Sequence, residues 1–125
     1  MLVNSRPIAD LLMTLAEPTR LRILNCLSSA PLFVPDLARI LELPEATVNE
    51  HMEQLAAAGV VRTYEVVPYL LYTLAPLPGG RERLVRSVLD AVRNDSATQA
   101  DRSAALDRSR TRFETRVRGA VVNAS

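Results

Sequence analysis

The chain has 125 residues, 48% hydrophobic and 23% charged, which is the size and composition of one globular domain. A single cysteine excludes an internal disulfide, and no apolar run approaches the roughly 20 residues of a membrane span. Net charge is +1, all 15 basic residues are arginine, and they are unevenly spread: residues 32–74 hold two Arg against six acids, a net of −4, whereas residues 81–118 hold ten Arg against six acids, a net of +4. The N-terminus shows no charged stretch followed by an apolar run and a cleavage site, so the expectation is a cytoplasmic protein without a secretory signal or membrane contact.

Residues 7–16 read as a first helix, with Ser5 as cap, Pro7 in the first turn and Ile8, Leu11, Leu12 and Leu15 on one stripe. A second helix from Pro18 to about Ser28 is apolar over much of its circumference, as a central helix is. Leu32 to Val34 is a short extended piece. Pro35 then opens a third helix, which the Leu43-Pro44 pair stops. A fourth helix over about 45–58 places Val48, Met52 and Leu55 on one face and ends at Gly59. Val60–Val66 and Tyr69–Leu74 read as two strands joined by Val67-Pro68. After a Pro/Gly loop, a fifth helix at 81–93 carries a stripe of Leu84, Val85, Val88, Leu89 and Val92. Residues 95–118 allow either a solvated helix with a thin seam of Leu106, Phe113 and Val117, laced by pairs such as Arg110–Glu114 and Glu114–Arg118, or a flexible tail. The predicted fold is mainly α, with five to six helices and a two-stranded wing: a winged helix-turn-helix over residues 1–93, followed by an Arg/Ser/Ala-rich segment, 94–125.

Three stretches carry more specific information: "LAEPTRLRILNCL" (15–27), "PDLARILELPEATVNEHMEQLAAAGVV" (35–61) and "YLLYTL" (69–74). They resemble the ArsR/SmtB family of bacterial repressors. The family's Pro-x-Arg-Leu-x-Ile-Leu pattern is matched by Pro18, Arg20, Leu21, Ile23 and Leu24. Its recognition-helix pattern is matched by Asn49, His51, Met52 and Leu55, and its Ala-Gly-hydrophobic-Val ending by Ala58 to Val61. The resemblance spans roughly residues 8–92. It implies a homodimer, joined through the first and fifth helices, that represses by covering a pseudo-palindromic operator in double-stranded DNA.

The chain departs from that family in three ways. Where the family has a Leu-Cys-Val-Cys word, this sequence reads Leu32-Phe33-Val34-Pro35, and no histidine follows His51, so both of the family's ordinary metal sites are missing. Thiolates and imidazoles are what soft or borderline ions need, and a lone Cys26 cannot chelate, so no metal or other cofactor is expected. The fourth helix also lacks Arg and Lys, and the hairpin tip is Val66-Val67-Pro68 where the family has Gly-Arg. Cationic contacts to phosphate supply essentially all non-specific DNA affinity, so this is an unusual DNA-facing surface.

The expected DNA-contacting residues are Thr47, Asn49, Glu50 and Gln54 on the fourth helix, with Arg62 and Tyr64 on the wing. Asn and Gln can pair with adenine, and Glu can accept from cytosine N4; the alternative is a solvated helix face. The expected dimer interface is Ile8, Leu11, Leu12, Leu15, Leu84, Val85, Val88, Leu89 and Val92. His51 and Cys26 read as packed residues. No nucleophile–base pair or phosphate loop is present, so no catalytic residue is expected. The reading is a homodimeric transcription repressor released by an unknown effector. The alternative is a winged-helix module turned to protein–protein interaction.

Overall fold

The computed structural model describes the backbone of residues 6–124 and the side chains of residues 7–112. The elements are α1 (Arg6–Leu15), α2 (Pro18–Leu27), β1 (Leu32–Phe33), α3 (Val34–Leu41), α4 (Glu45–Ala57), β2 (Val61–Val66), β3 (Tyr69–Leu74), α5 (Gly80–Arg93), a 3₁₀ turn (Ser96–Thr98) and α6 (Gln99–Ala124).

Local chemistry sets these boundaries. Glu17 caps α2 by accepting from the Arg20 N–H at 2.9 Å, with Pro18 in the first turn. Asp36 reaches back from the first turn of α3 to accept the Phe33 N–H at 3.0 Å. The turn between α3 and α4 runs through Glu42 in the left-handed conformation, φ 56°, before Pro44 opens α4. Gly59, at φ 75°, lets the chain leave α4 and enter β2.

The buried centre is α2, with Ile23, Leu24 and Cys26 fully enclosed. Around it pack Leu11 and Leu15 of α1, Leu37 and Leu41 of α3, Val48, Met52 and Leu55 of α4, and Val85 and Leu89 of α5. The sheet is antiparallel in the order β1-β3-β2. The hairpin register pairs Val61 with Leu74 and Val66 with Tyr69 around a cis Val67–Pro68 peptide, and β1 pairs Leu32 with Tyr72. The expected two-stranded wing is thus the outer part of a three-stranded sheet. Residues as few as Leu32 and Phe33 are too short to show the two-residue period of a strand.

Two expectations need correction. Leu11, Leu15, Val85 and Leu89 belong to the chain's own core, at 3–9% exposure, so they do not form a free dimer surface. Ile8 and Leu12 of the same stripe are exposed, and Leu84, Val88 and Val92 are half-buried. The segment after residue 93 does not stand apart from the helix-turn-helix unit either, because Ala105 of α6 is fully buried in the same core. Of the expected seam, Leu106 is 38% exposed, and Phe113, Val117 and the Glu114 pairs lie outside the described side chains.

Among the described residues, polar groups also fasten α6. Asp101 takes two bonds from Arg22, at 2.9 and 3.1 Å. The fully buried Asn25 donates to the Thr98 carbonyl at 3.0 Å and accepts from Arg102 at 3.1 Å. Further along, Asp36 accepts from Arg108 at 3.1 Å and from Arg112 at 2.7 Å. No helix among the described residues is long and apolar enough to cross a membrane.

Candidate nucleic-acid interface

Helix α4 is anchored by one face. Val48, Met52 and Leu55 are fully buried, which turns the opposite side to solvent. Of the residues expected to read DNA, Asn49, Glu50 and Gln54 are exposed and Thr47 is half-buried. They do not share one face. Thr47, Glu50 and Gln54 recur at three- and four-residue steps and line up along the helix, whereas Asn49 and Gln54, five residues apart, point about 140° from each other. Asn49 lies in a cleft with Glu45, Pro68 and Leu70, on the wing side, and Gln54 borders a groove with Asp10, Thr14 and Arg81, on the α1 side.

The wing residues also divide by strand alternation. Tyr72 and Val61 turn to the core, so Arg62 and Tyr64 project from the other face of the hairpin, with the Arg62 guanidinium 5.5 Å from the Tyr64 ring centre. Exposed at the tip are Val67 and Tyr69.

His51, at the edge of the anchored face, accepts from Arg20 Nε at 3.3 Å and lies 3.7 Å from Glu17. Arg20 also donates to the Thr14 carbonyl at 3.2 Å. This pair ties α4 to the α1–α2 corner and takes Arg20 out of the exposed cations. Cys26 lies against the Asp101 carbonyl, 3.8 Å away, and burial pushes its thiol up to about 12. Such a thiol stays protonated and unreactive at neutral pH. Among the described residues no three His, Cys, Asp or Glu side chains converge as metal ligands would.

The helix-turn-helix charge is therefore set by few groups. Helix α4 exposes Glu45, Glu50 and Glu53 and has no cation. Arg39 of α3 and Arg62 of the wing are exposed. Three arginines of α6 are committed within the chain: Arg102, Arg108 and Arg112 point into the domain. Asp36, Asn25 and their arginine partners carry no local signal, because the bonds join residues 72 to 77 apart. An acid in the first turn of α3 was the one visible hint.

A three-helix core, a helix held by one face and a hairpin laid beside it match known proteins. A helix-turn-helix domain family model matches residues 15–64. HlyU from Vibrio cholerae superposes with a TM-score of 0.63 at 27% identity, covering 76% of this chain and 100% of that one. The transcriptional regulator HlyU from Vibrio vulnificus gives 0.55 at 29% identity, covering 68% and 90%. The chain is a winged helix-turn-helix protein. A homodimeric winged helix-turn-helix DNA-binding domain, Mb0332 from Mycobacterium bovis, superposes on this chain with a TM-score of 0.61 at 18% identity, over 77% and 90% of the two chains, a likeness of fold alone. No curated protein sequence matches it.

Proposed function

We propose that this ArsR-like chain is a DNA-binding transcription regulator of the cytoplasm, a homodimeric repressor that covers a pseudo-palindromic operator until an effector releases it. The observation that carries this reading is α4: three fully buried side chains hold it rigidly while Thr47, Glu50 and Gln54 face outward along one line. That is how a recognition helix is presented to a major groove. Asn49 reads from the wing side. Arg39 and Arg62 are the exposed cations for phosphate, with Tyr64 beside Arg62. The exposed Ile8 and Leu12 of α1 and the half-buried Leu84, Val88 and Val92 of α5 supply the dimer surface. A two-fold pair places half-sites about one helical turn apart.

One observation favours a second reading. The outward side of α4 carries Glu45, Glu50 and Glu53 with no cation, which suits a basic protein partner. Fluorescence anisotropy decides between the two readings. The purified protein is titrated into DNA from its own upstream region and into a scrambled duplex, at low and physiological salt. Binding confined to the upstream duplex and weakened by salt supports the regulator. No binding to either duplex at low salt overturns it and leaves the protein-interaction module.

A further inference from the structure

Between the start of α3, the start of β3 and the middle of α6 lies a cleft of about 410 Å³. Its walls are Phe33, Pro35 and Tyr69, and its polar groups are Asp36, Arg108, Thr111 and Arg112. We propose that this cleft binds a small aromatic carboxylate. The inference goes beyond DNA recognition and does not depend on it.

Charge selects the carboxylate. Asp36 is one anion, 8% exposed at its side chain, and it faces two guanidiniums, 38% and 30% exposed. Among the described residues, the cleft therefore carries one positive charge more than its own acid balances. Arg108 reaches Asp36 through Nε and Nη2, and Arg112 through Nη1. A guanidinium has five N–H donors in a planar fork suited to carboxylates, so a second carboxylate has donors to meet. A phosphate ester brings close to two charges where the site offers one.

Shape selects the aromatic ring. Phe33 and Tyr69 meet edge to face, their ring centres 5.9 Å apart and their planes at 62°. The Arg112 guanidinium stacks over Phe33, 4.5 Å from its centre, and covers that ring face, so the open aromatic wall is Tyr69. Tyr69 is 56% exposed, an aromatic surface without full cover inside the chain. The volume falls in the range of about 300–1,000 Å³ usual for small-molecule sites, which pair mostly apolar walls with a few orienting polar groups. Glu45 lies in the neighbouring cleft, across Pro35 and Tyr69, so a cationic aromatic is drawn away from the arginines.

The test is a ¹H–¹⁵N NMR titration of the full chain with benzoate, benzyl alcohol and benzylamine. The expected result is saturable benzoate binding, with shifts concentrated at residues 33–36, 69 and 108–112 and affinity at least about tenfold above the alcohol, the margin of one charge-assisted hydrogen bond. Arg112→Gln is expected to remove that margin. Because Arg112→Gln also loosens α6, Tyr69→Ala provides a second variant. It leaves the Asp36 bonds in place and is expected to weaken benzoate about tenfold, the order of a buried aromatic contact, with an unchanged circular dichroism melt. No saturable shift up to the solubility of benzoate, equal binding of all three probes, or unchanged binding in Tyr69→Ala overturns the proposal. Loss of DNA binding in the anisotropy assay leaves it untouched.

Discussion

Asp36→Ala removes a side chain that joins the start of α3 to α6 through Arg108 and Arg112 and also holds the Phe33 N–H. Losing the bond to the Phe33 N–H, 3.0 Å long, takes away the N-terminal fastening of α3, worth about 0.5–2 kcal/mol. The Arg108 and Arg112 pairs come next. Leaving a fully buried charge unpaired costs about 3–5 kcal/mol. Here the guanidiniums are 38% and 30% exposed and can turn to water, so each pair is discounted to about 0.5–1 kcal/mol. The sum for Asp36→Ala is about 1.5–4 kcal/mol, or a Tm lower by about 6–15 °C for a chain of this length. Asp36→Asn keeps an oxygen for Phe33 and loses the charge, which brings the loss to about 1–2 kcal/mol. Urea unfolding followed by far-ultraviolet circular dichroism measures both. A double-mutant cycle with Arg112→Gln should return a coupling of about 0.5–1 kcal/mol. An Asp36→Ala loss below about 0.5 kcal/mol, or a cycle that adds with no coupling, would refute the view that Asp36 fastens α6.

Three further outcomes are expected. Asn25→Leu leaves the Thr98 carbonyl and the Arg102 guanidinium without their buried partner and should cost about 1–3 kcal/mol in urea unfolding, despite the larger apolar side chain. Cys26 titrates later in the folded chain, at about 12 against 9.0, so the unfolded chain loses its proton first. Folded stability should therefore fall as pH rises through that interval, by up to about 1.4 kcal/mol per pH unit, and comparing Cys26→Ala with the native chain at neutral pH and at about pH 10 should show the slope reduced. Glu50→Gln removes an exposed acid from the outward side of α4 and should raise affinity for scrambled DNA in the anisotropy assay; a fall would make Glu50 a positive contact.

Much of this fold was legible because its signals are local. Gly59 ends α4 with a positive φ, Pro18 and Pro35 open helices, and Val48, Met52 and Leu55 mark the anchored face. The attachment of α6 was not legible. Hydrophobic periodicity looks for apolar residues, and this helix docks through Asp101, Arg102, Ala105, Arg108 and Arg112. The α1 and α5 stripes misled for another reason. Periodicity says that Leu11 or Leu89 is covered, but the same spacing arises whether the cover is the chain's own core or a second copy. For the candidate interface, helical spacing separates Asn49 from Gln54 on geometry alone, whereas the cleft beside Asp36 depends on residues 72 and 76 positions away and has no trace in any short window.

The span between Asp36 and Arg112, 76 residues, also bears on how the chain is made. At about 5–20 residues per second, a ribosome finishes α3 roughly 4–15 s before it delivers the arginine that α3 will hold. The nascent domain must wait with that side uncovered. The waiting surface, however, includes Arg22, Asn25 and Asp36, groups that water solvates well, beside its apolar contacts. A polar seam thus spares the growing chain the sticky intermediate that a leucine seam would expose during synthesis.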